Sequence, residues 1–339
     1  MAKRASTNAA PLEVTKTYKL FINGAFPRTE SGRSLVIHAH NSTQANPVVF
    51  AHTCHASRKD LRESVEAARA ALPKWSSTAP YTRGQILYRL AEMMQGKAAE
   101  LADALEHVAS TSSSTKPALK SSTKVTTGVR TNARTTMRAN AHTNQATSSR
   151  TLSPRDEVSL AIDTVVHHAG WADKLAQVLG TNNPVSGPYY NFTIPEPVGV
   201  TACIAPDAPP LLGLVSLLAP ALATGSTTIV IASDANPIPA CILAEACATS
   251  DIPAGVVNIL TGLRDELLTH IAQHRDIDAI LAASPSPANA AIIRTGVAES
   301  IKRVSIFEPV DWKASRATHG LSWIEPSVEY KTIWHPSAV

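Results

Sequence analysis

Residues 198–232 read Val198-Gly-Val-Thr-Ala-Cys-Ile-Ala-Pro-Asp-Ala-Pro-Pro-Leu-Leu-Gly-Leu-Val-Ser-Leu-Leu-Ala-Pro-Ala-Leu-Ala-Thr-Gly-Ser-Thr-Thr-Ile-Val-Ile-Ala232. Asp207 is the single charged residue from Thr201 to Ala232. A β run at 198–204 is followed by an apolar helical stretch at 211–223, which Gly225 ends, and a second β run at 227–232. A membrane span needs about 20 unbroken apolar residues. Here Pro206, Pro209, Pro210, Pro220 and Gly225 interrupt the run, so it reads as a buried core. The alternation continues outward: a helix at 238–249, a β run at 256–260, a helix at 265–273, a β run at 277–281, a helix at 288–301 and a β run at 304–307. Strand and helix alternating over short connections predict an α/β fold, a parallel sheet with right-handed crossovers.

Upstream, Tyr18-Lys-Leu-Phe-Ile-Asn-Gly-Ala-Phe26 carries a hairpin signal at Asn23-Gly24. Ser57 is a predicted N-cap, and the helix it opens is expected to stop at Pro73. Further helices are predicted at 82–95 and 98–108, and one from Val158 that continues through Trp171 towards Leu179. A short strand is expected from Tyr189 to Thr193.

The chain has 339 residues, 44% of them hydrophobic, which excludes a collagen-like chain and argues against wholesale disorder. Four cysteines without an apolar leader argue against a disulfide scaffold and read as cytoplasmic. The basic first residues also fit a mitochondrial-type presequence. Net charge is +4, yet seven basic residues and no acidic one lie between His107 and Arg155. The remainder therefore carries about −3. Residues 110–153 hold twenty Ser or Thr and almost no large apolar residue, so a low-complexity insert is expected. The organisation reads as a polar tail (1–17), an N-terminal hairpin and helices (18–109), the insert (110–153), the α/β domain (154–308) and a Trp-containing tail (309–339).

Several phrases resemble aldehyde dehydrogenases. They are the Tyr18 phrase, Ala56-Ser-Arg-Lys-Asp-Leu-Arg-Glu-Ser-Val-Glu-Ala-Ala-Arg-Ala-Ala71, Trp75 with Arg83-Gly-Gln-Ile-Leu-Tyr-Arg-Leu-Ala-Glu-Met93, Pro195-Glu-Pro-Val-Gly-Val200, Leu218-Ala-Pro-Ala-Leu-Ala-Thr-Gly225 and Ile252-Pro-Ala-Gly-Val-Val-Asn-Ile-Leu-Thr-Gly262. The resemblance implies a Rossmann-like parallel-sheet cofactor domain of the aldehyde dehydrogenase fold, with an N-terminal hairpin and helical region and no complete catalytic domain. It also implies NAD or NADP as cofactor and oxidation of aldehydes through a cysteine thiolate. Pro309-Val-Asp-Trp312 and Lys331-Thr-Ile-Trp-His-Pro336 resemble the tail of a short, C-terminally truncated, actinobacterial-type paralogue.

Read onto this chain, the resemblance leaves the machinery depleted. Cys54, Cys203, Cys241 and Cys247 all precede the place of the family's nucleophile, so no catalytic residue is assigned. His52-Thr-Cys-His55 is too short of ligands for a zinc site, so no metal is assigned. Pro206-Asp-Ala-Pro-Pro210 stands where the family has Pro-Trp-Asn-Phe-Pro. Ala208 cannot replace the oxyanion-holding Asn, and Asp207 would oppose an oxyanion. Ala232-Ser-Asp-Ala-Asn-Pro237 lacks the ribose-binding Lys. Asp234 is read either as a ribose acceptor or as a helix cap and solvated loop residue. Ala282-Ala-Ser-Pro285 lacks a phosphate-facing glycine. The cofactor-facing candidates are Pro206, Asp207, Ser233, Asp234 and Gly262.

These readings predict a family member impaired or inactive alone. Its expected partner is a second copy or a full-length aldehyde dehydrogenase paralogue. Trp312, Trp323 and Trp334 are read either as cover for the sheet edge or as anchors for that partner. The insert's cations could contact an anion, but no aromatic residue is interleaved for base stacking, so nucleic acid is not the expected partner. No membrane partner is expected.

Overall fold

The computed structural model describes residues 14–40, 48–108 and 152–337. Almost all of the insert, and most of the polar tail, lie outside the described residues. The chain opens with β1 (Thr17–Tyr18), β2 (Ser34–His38) and β3 (Val49–Cys54), which form a sheet in the order β1-β3-β2. Asn23 and Gly24 take positive φ values of 52° and 74° and make the expected tight turn. The arms flanking it pair elsewhere as well: Tyr18 joins β3, and Phe21 exchanges backbone hydrogen bonds with Ile259.

The helices α1 (Arg58–Ser77), α2 (Pro80–Gly96), α3 (Ala98–His107), α4 (Pro154–Trp171) and α5 (Leu175–Leu179) follow. Ser57 caps α1 in a capping box with Asp60. Pro73 does not stop α1. It removes one backbone donor, but the final turn is held by the buried Trp75 and by Ser76, Ser77 and Thr78 hydroxyls that donate to Pro73 and Lys74 carbonyls. The predicted continuous helix from Val158 to Leu179 is also corrected: it breaks at residues 172–174, dividing α4 from α5.

Strand β4 (Thr181–Asn183) and strand β5 (Tyr189–Pro197, longer than expected) lead into the alternating block. That block is β6 (Val200–Ile204), α6 (Pro210–Thr224), β7 (Thr227–Ile231), α7 (Ile238–Ala248), β8 (Val257–Leu260), α8 (Arg264–Gln273), β9 (Ala279–Ala283), α9 (Pro287–Gly296) and β10 (Arg303–Phe307). Its strands form one all-parallel sheet in the order β10-β9-β6-β7-β8. Strand order reverses between β6 and β9, the topological switch point of a Rossmann-like domain. Helix α9 ends earlier than predicted, at Gly296, where a side chain would meet Ala272.

Both faces of the sheet are covered along β6, β7, β8 and β9, every residue of which is buried, whereas the edge strand β10 is only partly covered. Successive side chains alternate between the faces. Cys203, Val230 and Leu281 join a core with α2, α3, α4, α6 and α7, whereas Ala202, Ile204, Ile229 and Ile280 join a second core with α1 and α8. Fourteen of the fifteen α6 residues are buried. Each fully buried Leu there contributes about 2 kcal/mol.

After β10 the chain folds back through α10 (Leu321–Ile324) into β11 (Val328–Pro336). Trp323 stacks on Phe307 with ring centroids 4.0 Å apart, and Trp312 lies against it at 6.1 Å, so these two cover the sheet edge. Strand β11 pairs antiparallel with β5 from Val328–Pro197 to Pro336–Tyr189, completing the sheet β11-β5-β4. Trp334 stays 59% exposed on it.

Three imidazoles pin the returning segment to α4. His167 stacks on His319 at 4.0 Å, and His168 stands edge-on to His167 and bonds the Thr318 carbonyl at 3.2 Å. Burial pushes His168 down to about 3, the His167 charge adds to this, and the Thr318 carbonyl opposes it. His167 and His319 are lowered as well, chiefly by burial, with Arg316 adding at both. A base whose folded pKa is depressed stabilises the fold fully only above its unfolded value, near pH 6.5. That stability declines as pH falls from there towards 3. Moving from pH 7.5 to pH 5 is therefore expected to lower unfolding free energy by about 2 kcal/mol through His168. Urea midpoints at the two pH values measure it, and His168→Gln should flatten the dependence.

Candidate functional site

The carboxyl ends of a parallel sheet are where an open α/β fold binds ligands, because the following helices aim their N-terminal N–H groups there. In this chain the crevice is built from four connections, those after β6, β7, β8 and β9. Sequence reading assigned five residues to it, and the structure brings three of them, Asp207, Ser233 and Asp234, into one hydrogen-bonded cluster.

Asp207 follows β6 and is half exposed. Its Oδ1 accepts from the Ser233 hydroxyl at 3.1 Å, from the Asp234 N–H at 3.1 Å and from the Ala235 N–H at 3.4 Å. The same atom accepts from Arg264 Nη2 at 2.7 Å. Burial alone would push this carboxyl up. Arg264 outweighs it together with the Ser233 and Ala235 donors, and the group is held below the ordinary carboxylate range. Ser233, which is buried, also accepts from the Asn236 N–H at 3.1 Å.

Asp234 lies in the connection just after the second strand, β7, where an acid would receive ribose hydroxyls. Its carboxylate instead accepts from the Arg264 N–H, at 3.1 and 3.3 Å, which caps the first turn of α8 from outside the helix. Burial pushes Asp234 up to about 6; Arg264 opposes the rise and Asp207 adds to it. Asp234 thus caps α8, not the helix after Pro237 that the capping reading expected; the first N–H of that helix is taken by the Asn236 side chain at 3.3 Å.

Pro206 and Gly262 stand apart from this cluster. The Pro206 ring packs on Gly213 of α6 so closely that a Cβ there would collide with it. Gly262, at φ +149°, lies against the end of β3, where a Cβ would come within 3.1 Å of the Ala56 nitrogen. Packing inside the chain accounts for both residues.

Two residues central to the crevice were missed. Arg264 is 4% exposed and reaches from the start of α8 to Asp207. Its signal was present: no Lys or Arg stands between Lys174 and Arg264, so the first cation after that long stretch directly follows a buried strand. Glu157 on α4 is 6% exposed, and its Oε1 accepts from the Leu211 and Leu212 N–H groups at 2.8 and 3.2 Å. It thereby supplies the cap that Pro209 and Pro210 cannot. No local pattern could reveal it, since α4 and α6 meet only in the fold.

The connection after β9 is likewise closed on itself. Ser284 takes φ +45° without being glycine, Pro285 and Pro287 carry no N–H, and Ser286 accepts from the Asn289 N–H at 3.2 Å. The first turns of α6, α8 and α9 thus each give N–H groups to acceptors of this chain, and Asp207 adds a carboxylate to the crevice.

Cys54, Cys203, Cys241 and Cys247, the chain's four cysteines, are all buried and free. Among the described residues no group of three His, Cys, Asp or Glu side chains is arranged to hold a metal ion. No helix among them is long and apolar enough to cross a membrane.

Glu157 offers a direct check of the α6 cap. Burial raises its pKa against the two N–H donors. Glu157→Ala orphans those donors and is expected to cost about 2 kcal/mol. Glu157→Gln keeps an acceptor without the buried charge and should cost less than half as much, both read as urea-midpoint shifts.

Comparison with known proteins agrees with this architecture. The model of the "Aldehyde dehydrogenase family" matches residues 34–153 and 130–307. Retinal dehydrogenase 2 of Gallus gallus is 29% identical over 301 residues, covering 87% of this chain and 49% of its own length. An aldehyde dehydrogenase of Aspergillus niger is 27% identical, with 85% and 49% covered. The solved NAD+ complex of an aldehyde dehydrogenase from Bacillus cereus is 25% identical and superposes with a TM-score of 0.67, over 88% of this chain and 54% of that one. The chain spans about half the length of the curated relatives it matches. The family model's reach across most of the described fold shows that this chain belongs to the aldehyde dehydrogenase family.

Proposed function

We propose that this chain is a non-catalytic member of its family, acting by binding a second copy of itself or a full-length paralogue, in the cytoplasm. The observation that carries the reading is the burial of all four thiols. The family's reaction, NAD(P)-dependent oxidation of an aldehyde to an acid, needs a thiolate that the aldehyde can reach. Burial pushes Cys203 and Cys241 far above the usual thiol range and Cys247 up to about 12, so these sulfurs stay protonated at neutral pH. Cys54 is 4% exposed within a hydrophobic cluster. Asp207 adds a negative charge where the resemblance would require an oxyanion donor.

The partner half of the proposal draws on the sheet β11-β5-β4. Tyr189 and Trp334 meet edge-to-face at 5.9 Å, and Tyr190 packs beside Phe192 at 5.3 Å on the neighbouring positions. Tyr189, Tyr190, Tyr330 and Trp334 are each roughly half exposed, and such exposed aromatic groups suit a protein contact.

The test pairs thiol accessibility with turnover. Ellman's reagent is expected to leave all four thiols of the native protein unreacted and to titrate all four after unfolding. Purified protein should give no NAD(P)-dependent oxidation across a panel of aldehydes. Turnover that a Cys→Ser change abolishes would sink the proposal.

A further inference from the structure

We propose that the outer edge of β11 pairs with itself: a second copy of this chain adds its own β11 antiparallel, across a two-fold axis at Thr332. The inference rests on the reading of this chain as a partner-binding protein, and it names the surface and the occupant. Strand β11 has β5 on one side and no strand on the other. Hydrogen bonds at its two ends fix which backbone groups face which way. The Val198 N–H donates to the Ser327 carbonyl at 3.0 Å, and the Ser337 N–H donates to the Pro188 carbonyl at 2.9 Å. In an antiparallel ladder such pairs alternate, so the odd-numbered residues of β11 turn their N–H and C=O groups towards β5. Val328 has the opposite parity, and its carbonyl accepts from Arg303 instead. Tyr330, Thr332 and Trp334 share that parity and turn their N–H and C=O groups away from β5. They lie in a stretch that is exposed from Glu329 to Pro336.

Proteins blunt such an edge with a bulge, a proline or an unpaired lysine. Strand β11 does none of these along its length. It follows β5 over consecutive positions without a shift, whereas β2 and β3 slip between Ile37 and His38. Its proline stands last, at Pro336, and Lys331 is paired with Glu196 of β5. Hydrogen bonding across the free edge requires even residues opposite even residues. Full overlap of β11 with its copy sets Thr332 opposite Thr332 and Tyr330 opposite the second copy's Trp334, which satisfies the outward backbone groups of all three. The same register sets Glu329 opposite the second copy's His335, so no like charges face each other. Sliding one step either way sets Lys331 against the second copy's Lys331, or against its His335, which offers no counter-charge. Charge therefore selects the full overlap. Tyr330 and Trp334, 46% and 59% exposed in the single chain, cover one another on both sides of the axis. The same patch of each copy meets the other, the self-complementary contact that a two-fold dimer needs.

The experiment is sedimentation equilibrium of the full chain and three variants. Wild type is expected to show a monomer–dimer equilibrium, with dimer predominant at about 100 μM. Thr332→Pro removes an outward N–H at the axis and no hydrogen bond to β5, a place where an edge strand tolerates proline. It is expected to weaken dimerisation at least about tenfold. Thr332→Ala loses the same hydroxyl, which shares a hydrogen bond with Thr193, but keeps the N–H, and is expected to dimerise as wild type does. Wild type that stays monomeric overturns the inference, whatever other partner the chain has. A Thr332→Pro dimer as tight as wild type shows that the chain still binds its copy but overturns the assignment to this edge. Equal weakening by Thr332→Ala overturns the backbone pairing. If Thr332→Pro does not fold by circular dichroism, Tyr330→Lys with Trp334→Lys sets cation against cation across the axis and takes its place, with the same outcomes. Thiol accessibility and turnover are measured separately, so they decide the non-catalytic reading whichever way the dimer falls.

Discussion

Every helix that follows a strand in a parallel sheet aims a turn of unpaired N–H groups at the same edge, and those groups must find acceptors. In most uses of the frame a bound anion is one such acceptor. Here side chains of the chain itself accept from part of each turn: Glu157 on α6, Asn236 on α7, Asp234 on α8 and Ser286 on α9. This constraint organises the crevice. It draws α4 onto α6, ties the connections after β6, β7 and β8 through Arg264, and leaves Asp207 as the carboxylate facing out. A fold can be retained while the chemistry at its edge is replaced, and the family assignment and the altered crevice are compatible for that reason.

The alternating block was legible because burial on both faces leaves a plain signature, apolar runs of strand length separated by apolar helices. All five strands of that sheet, and the four helices between them, follow from it. What misled was local. Pro73 reads as a stop, but Trp75 has enough buried surface to hold one more turn. Residues 172–174 bend a helix whose pattern continues through them. Tyr189 to Thr193 looks like a short strand because its second half depends on a partner, β11, that arrives more than a hundred residues later.

The crevice divided along the same line. Asp207, Ser233 and Asp234 were found because they stand where the resemblance places the family's phrases after the first and second strands of the sheet. Their meaning was not, since it depends on Arg264 and Glu157. Arg264 leaves a trace in composition, as the first cation after a long stretch without one. Glu157 leaves none: an acid in the first turn of a helix is ordinary, and only the packing of α4 on α6 turns it into a cap for another element. Pairwise roles between distant elements are beyond any reading of spacing.

The strand β11 has a consequence for the order in which the chain is made. Strands β4 and β5 leave the ribosome well before residues 328–336, and a strand pair of three and nine residues is marginal in water. The central parallel sheet can assemble once Phe307 has emerged. The small sheet must wait for the last strand to dock, so β5 stands with an open edge through the interval, and its Tyr-Tyr-Asn-Phe-Thr-Ile sequence has strong strand propensity. During vectorial synthesis this hairpin is therefore open to mispairing with another copy until β11 docks.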